Sequence, residues 1–221
     1  MGKNNLVVIP ARGGSVGIKG KNIKLFSGLP LISYSINVAK QVAALNKIIV
    51  STDSNDIASL AQQYGADIPF IRPESLSGSV VSIEEVLIHA FEMLEEEQYI
   101  ADAIILLFPT SPLRNSEQIS QCIDLFYASN ADCVFTVNES PAHYSPYWTI
   151  VRDGDNLTYF DGSNLGTGYS RRQDFPKQCF AKNDLVFVVK PSSLLKNKSI
   201  FGDLNKMIIT DPVYGCDINE I

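Results

Sequence analysis

Four glycines and four basic residues interleave directly behind the apolar segment Leu6–Ile9: Gly13, Gly14, Gly17 and Gly20 with Arg12, Lys19, Lys21 and Lys24. Glycine lets backbone amides approach a ligand closely, and lysine and arginine supply the charge that phosphates need. The stretch VVIPARGGSVGIKGKN is neither the GxxxxGK[ST] phosphate loop nor the GxGxxG dinucleotide fingerprint. The expectation is a local phosphate site of another design. In STDSND, Asp53 suits either a helix N-cap or a ligand contact. In FPTSPLRN, Thr110, Ser111 and Arg114 crowd around two prolines, as a rigid ligand-contacting loop or a capped turn would have them. Asp217, in GCDINEI, follows the last strand candidate and has the chemistry of a Mg²⁺ ligand beside a triphosphate. Arg171 and Arg172, in YSRRQDFP, suit an acidic sugar or a phosphate, or form a solvated surface pair.

The elements that must position these residues are legible in the hydrophobic pattern. LVVI, KIIVSTD, DIPFIRP, ADAIILLFP and ADCVFTV read as strands. Between them PLISYSINVAKQVAAL, SNDIASLAQQYG, SIEEVLIHAFEMLEEE and NSEQISQCIDLFYAS read as helices, the third with a capping box from Ser82 to Glu85. Strand and helix thus alternate through the first 137 residues, which predicts a parallel sheet covered by helices on both faces. Residues 138–178 lose that rhythm and read as an excursion holding a hairpin, WTIV to LTYF. The strand candidates DLVFVVK and KMIIT then return to the sheet. In such sheets ligands bind outside the carboxyl ends of the strands, where the loops named above fall.

With 221 residues, 45% of them hydrophobic, the chain can form one substantial core, so a single domain over 1–221 with 138–178 as an appendage is expected. A net charge of −6 argues against a general binder of nucleic acid or anionic membrane. No apolar run nears the roughly 20 residues of a membrane span. Cys122, Cys133, Cys179 and Cys216 show no metal-ligand spacing, and reduced thiols in the cytoplasm are the expectation.

IPARGGSVGIKGKNI, VSTDS, FIRPESLSG, PTSPLR, RRQDFP and the terminal DIN occur together and in order. This set resembles the CMP-acylneuraminate (CMP-sialic acid) synthetase family of cytidylyltransferases, which includes enzymes for legionaminic and pseudaminic acids. The resemblance covers essentially the whole chain. It implies a Rossmann-like three-layer α/β/α fold of the nucleotide-diphospho-sugar transferase type, with a mostly parallel sheet and a dimerisation excursion. It also implies CTP and an acidic nine-carbon keto sugar as substrates, Mg²⁺ as cofactor, and a homodimer whose arms reach the neighbouring site.

Carried over residue by residue, Ala11, Arg12, Gly13, Ser15 and Asn22 form the nucleotide loop, with Arg72 and Ser82 near the cytidine. Lys21 and Arg12 polarise the triphosphate, and Asp217 with Asn219 holds Mg²⁺, Asp217 also helping to activate the sugar hydroxyl. Phe108, Thr110, Ser111, Arg172 and Gln173 fall on the sugar side. The chain departs from the family's usual residues at Val16, Phe108, Ala181 and Asn219. These departures leave two alternatives open: a nucleotidyltransferase for the eight-carbon acid Kdo or another acidic sugar, and a nucleotide-binding homologue without turnover.

Overall fold

The computed structural model describes residues 2–14 and 17–218. Its centre is a six-stranded sheet in the order β10-β6-β9-β5-β1-β4, formed by β1 (Asn5–Pro10), β4 (Lys47–Ser51), β5 (Ala103–Leu106), β6 (Cys133–Glu139), β9 (Phe180–Val189) and β10 (Asn205–Ile209). β1 pairs in parallel with β4 and β5, as β10 does with β6. β9 alone runs against its neighbours β5 and β6.

Side chains alternate across the pleat, so β1 serves two cores. Val7 and Ile9 face one core with Ile32 and Ile36 of α1 (Leu31–Ala39), Ile57 of α2 (Asn55–Gln63) and Phe126 of α4 (Ser116–Ser129). Leu6 and Val8 face the other with Leu87, Phe91 and Leu94 of α3 (Ile83–Glu96) and Leu194 of α5 (Pro191–Asn197). The result is the three-layer α/β/α arrangement read from the alternation. Each fully buried leucine or isoleucine contributes on the order of 1.5–3 kcal/mol of transfer free energy.

Local signals account for most boundaries. Ser82 Oγ accepts a hydrogen bond from the Glu85 amide and the Ser82 amide donates to Glu85 Oε2, so α3 begins at its expected capping box. Asn115 and Gln118 form the same device at α4. α1 stops at Ala39, short of the expected Leu45, because Asn5 and Asn46 clamp the following turn: Asn5 Nδ2 donates to the Ala44 carbonyl (2.9 Å) and the Asn5 amide to Asn46 Oδ1 (2.7 Å). DIPFIRP is not a sheet strand. Only a single parallel bridge, Ile49 to Asp67, joins it to β4, and Pro69 and Pro73 remove two of the donors a ladder needs.

The pattern also missed a short hairpin, β2 (Leu25–Phe26) with β3 (Leu29–Pro30). Its turn uses positive φ at Ser27 (46°) and Gly28 (87°). The expected excursion leaves the sheet after β6 and returns at β9, carrying the hairpin β7 (Ile150–Asp153) and β8 (Asn156–Tyr159). There Tyr147, Trp148 and Tyr169 all pack on Phe175. Among the described residues no helix is long and apolar enough to cross a membrane.

Candidate active site

The glycine-rich loop begins where β1 ends. The Ala11 amide continues the ladder by donating to the Ser51 carbonyl (2.9 Å), and the Gly13 amide donates to Asp53 Oδ1 (2.8 Å). Asp53 therefore anchors the loop, and the N-cap of α2 is Ser54. A Cβ on Gly13 would lie 3.1 Å from that of Ser54, so the close approach leaves little room for a side chain. Gly20, at φ 63°, turns the chain into a single 3-10 turn, Lys21–Ile23. Buried Asn22 closes the loop by donating from Nδ2 to the Arg12 carbonyl (3.0 Å). Ser15, Val16 and Asn219 lie outside the described residues.

Three more segments meet this loop. Lys21 Nζ donates to the Ile218 carbonyl (3.0 Å), and the Ile218 amide donates to the Thr110 carbonyl (2.9 Å). The carboxyl-terminal segment is thereby stitched to both the glycine-rich loop and the loop after β5. Burial holds the pKa of Lys21 below the usual lysine value, with Asp217 opposing and Arg12 assisting that lowering. Arg72, 4% exposed, donates from Nε to Ser77 Oγ (3.3 Å) and places Nη2 3.9 Å from Asp53 Oδ1. Burial lowers its pKa too, against the pull of Asp53.

Two hollows open between these segments. One, of about 290 Å³, is lined by Arg12, Arg72, Ser77, Ser79, Ser82 and Phe108, with Leu76, Val81 and Val86 as apolar wall. The other, of about 200 Å³, is lined by Arg12, Gly17, Lys21, Asn22, Phe108 and Thr110. Both include Pro10, Arg12 and Phe108, so they form neighbouring compartments of one cleft at the carboxyl ends of β1 and β5. A polyanion lying across it meets Arg12, Lys21 and Arg72. Ser82 lines the cleft while its hydroxyl also donates to Glu85 Oε2 (2.8 Å).

Other residues of the same loops do structural work. Ser111 is buried, and its hydroxyl donates to the Asp184 carbonyl (3.2 Å). Arg114 is buried and donates to the Leu185 carbonyl, Ser35 Oγ and the Phe108 carbonyl, the last two at 2.9 and 2.8 Å. Burial pushes its pKa down to about 9, which leaves it charged at neutral pH. Asp184 escaped sequence reasoning. It sits at φ 53° in β9, a conformation that favours Gly, Asn and Asp, and its pKa is raised by burial and by the nearby Asp217. Its sequence signal was only the Asn-Asp pair in FAKND. Among the described residues no group of three or more His, Cys, Asp or Glu is placed to hold a metal ion.

Arg172 and Gln173 are not brought to this cleft within the chain. They line a separate hollow of about 680 Å³ in the excursion, with Glu139, Phe175, Lys177 and Cys179. Arg171 is occupied by a bidentate pair with Asp174, both contacts at 2.9 Å.

A cleft of this charge at the carboxyl edge of a mostly parallel sheet defines a nucleotide-binding α/β protein of the nucleotidyltransferase class. The cytidylyltransferase family matches residues 6–203, and the chain belongs to that family. It is 37% identical to a pseudaminic acid cytidylyltransferase of Campylobacter jejuni, over 98% of this chain and 91% of that protein. It is 30% identical to a CMP-N,N'-diacetyllegionaminic acid synthase of Legionella pneumophila, over 94% and 87%. A solved structure of a CMP:2-keto-3-deoxy-manno-octonic acid synthetase complexed with CTP superposes with a TM-score of 0.71 at 15% identity, covering 99% of this chain and 94% of that one.

Proposed function

We propose that this chain transfers CMP from CTP to the anomeric hydroxyl of a sialic-acid-like nine-carbon keto acid sugar, releasing pyrophosphate. The observation that carries the reading is the convergence of Arg12, Lys21 and Arg72 on one two-compartment cleft, with Asp217 beside Lys21. The two relatives, named for sugars of this kind, favour the nine-carbon acid. The likeness to the eight-carbon synthetase speaks for the fold alone.

In the reaction the sugar oxygen bonds to the α-phosphorus while the bond from that phosphorus to the bridging oxygen breaks, and pyrophosphate leaves. Such transfers depend on positioning and on stabilising developing charge more than on covalent help from the protein. Arg72 and Ser82 hold the nucleoside end, and the amides of Ala11 to Gly13 border the phosphates. Arg12 and Lys21 neutralise the triphosphate, Lys21 stabilising the charge that develops as pyrophosphate departs. Asp217, exposed and beside Lys21, orients the attacking hydroxyl and takes its proton as the new bond to phosphorus forms. Thr110, beside Lys21 in the smaller compartment, contacts the sugar.

Carboxylates suit Mg²⁺, which usually takes one or two of them together with phosphate oxygens. Asp217 and the neighbouring Asp184 fit that donor set, and the ion would neutralise the triphosphate there. Arg172 and Gln173, remote from their own cleft, fit a homodimer in which each arm completes the partner's sugar site. The exposed Tyr144, Ile150, Leu157 and Phe160 of the excursion support that reading. The cytoplasm, where CTP is held, is the compartment this function requires.

The test is pyrophosphate release with CTP, Mg²⁺ and a panel of acidic keto sugars, with product mass naming the sugar. Release is expected only when all three are present; tight CTP binding without turnover on any sugar would sink the reading.

A further inference from the structure

After the 3-10 turn Pro212–Tyr214 the chain approaches the cleft without regular structure, and it is held at two points. At the first, Gly215 seats against Asn138: a Cβ on Gly215 would lie 2.5 Å from Asn138 Nδ2. Asn138 is itself tied, because its Oδ1 accepts from Asn183 Nδ2 and from Thr210 Oγ1 (2.9 Å). At the second, Ile218 is bonded through both backbone groups, its carbonyl to Lys21 Nζ (3.0 Å) and its amide to the Thr110 carbonyl (2.9 Å). Between the two points stand Cys216 and Asp217, both exposed. A bridge this short, fixed at each end by backbone, has few conformations left. The Lys21 end is the stronger tie of Ile218, since an ammonium donating to a carbonyl makes a charge-assisted bond and an amide does not.

We infer that Lys21 is a positioning residue for Asp217 as well as a triphosphate contact: by holding the Ile218 carbonyl it sets where the Asp217 carboxylate stands toward the attacking hydroxyl. The inference rests on the function proposed above. Only the backbone of residue 218 is called upon, so its side chain can change while its amide and carbonyl do their work. Misplacing a reacting group by about 1 Å can cost about a hundredfold in rate.

The first measurement is native-state amide hydrogen exchange on the protein without substrates. Lys21→Met should speed exchange of the Ile218 amide about tenfold relative to the core Leu107 amide, which donates to the Val8 carbonyl. The second compares Ile218→Val with Ile218→Pro, which removes the amide donor to Thr110. By pyrophosphate release at saturating CTP, the valine variant should stay within about twofold of wild type. The proline variant should lose between about tenfold and a hundredfold in kcat, with its CTP affinity by calorimetry changing less than that. Unchanged exchange in Lys21→Met overturns the inference while leaving the proposed function standing. So does a proline variant of wild-type kcat, one whose CTP affinity falls as far as its kcat, or a valine variant as slow as the proline one. Absence of pyrophosphate release by the wild type on every acidic keto sugar tried overturns the two together.

Discussion

The cleft and the excursion use polar residues in opposite ways. Around the cleft several polar side chains are tied to backbone of another segment of the chain. Asp53 holds Gly13, Asn22 holds Arg12, Lys21 holds Ile218, and Arg114 holds Phe108 and Leu185. In residues 140–179 the side-chain hydrogen bonds are mostly local: Arg171 to Asp174, Asp161 to Ser163 and Asn164 to Gly166. Long-range ties fix a geometry before any ligand arrives, which is what charge stabilisation of a triphosphate needs. Local ties hold the excursion to itself, and there Tyr144, Ile150, Leu157 and Phe160 are exposed.

That contrast can be broken by substitution. Lys21→Ala should lower kcat at least a hundredfold while the thermal midpoint stays close to wild type, because a preorganised charge is lost from a half-exposed site. A full-rate mutant would remove Lys21 from the phosphate site. Arg114→Met strikes the scaffold instead. It strands the buried Leu185 carbonyl, removes one of the two donors to the Phe108 carbonyl and should cost about 3 kcal/mol in chemical denaturation; a loss under 1 kcal/mol would show that those ties are not what fixes the loop.

Asp53→Ala releases the Gly13 amide and removes the partner of Arg72. The KM for CTP should rise about tenfold with a smaller fall in kcat, a split readable from steady-state kinetics. Arg172→Ala should leave CTP binding by calorimetry unchanged and raise only the KM for sugar, and equal damage to both would place Arg172 in the nucleotide half.

The smallest effect expected is on acid stability. His89 sits against Phe70 with its buried Nδ1 unpartnered, and burial holds its pKa below 6.5. The folded state therefore prefers the neutral ring. Stability from this group is fully present above the unfolded value near 6.5 and is lost as pH falls through it. His89→Gln should flatten the thermal midpoint between pH 7 and 5, and an unchanged slope would assign it to other groups.

The alternating strands and helices were readable because each buried strand is apolar on both faces and α2, α3 and α4 each carry a side-chain cap. Ser82 with Glu85 marks α3 to the residue. DIPFIRP misled because Phe70 and Ile71 supply strand-like hydrophobicity while Pro69 and Pro73 deny the ladder its donors. The reversal of β9 was not legible, since an apolar run says nothing about direction. The charged half of the cleft could be read from residue types next to a strand end. The structural duties of Ser111 and Arg114 could not, because their partners, Asp184 and Leu185, lie more than seventy residues away. Asp184 was hidden for a related reason: only its backbone angle and its closeness to Asp217 single it out.

The reversed strand has a further effect on what the chain can become. Because β9 runs against β6, the excursion departs and returns at the same edge, where the Ser140 amide donates to the Cys179 carbonyl at 2.9 Å. No crossover depends on what hangs between those two points. The arm is therefore a removable part with a single narrow socket, and lengthening it or grafting another in its place would leave the strand order of the catalytic platform as it is.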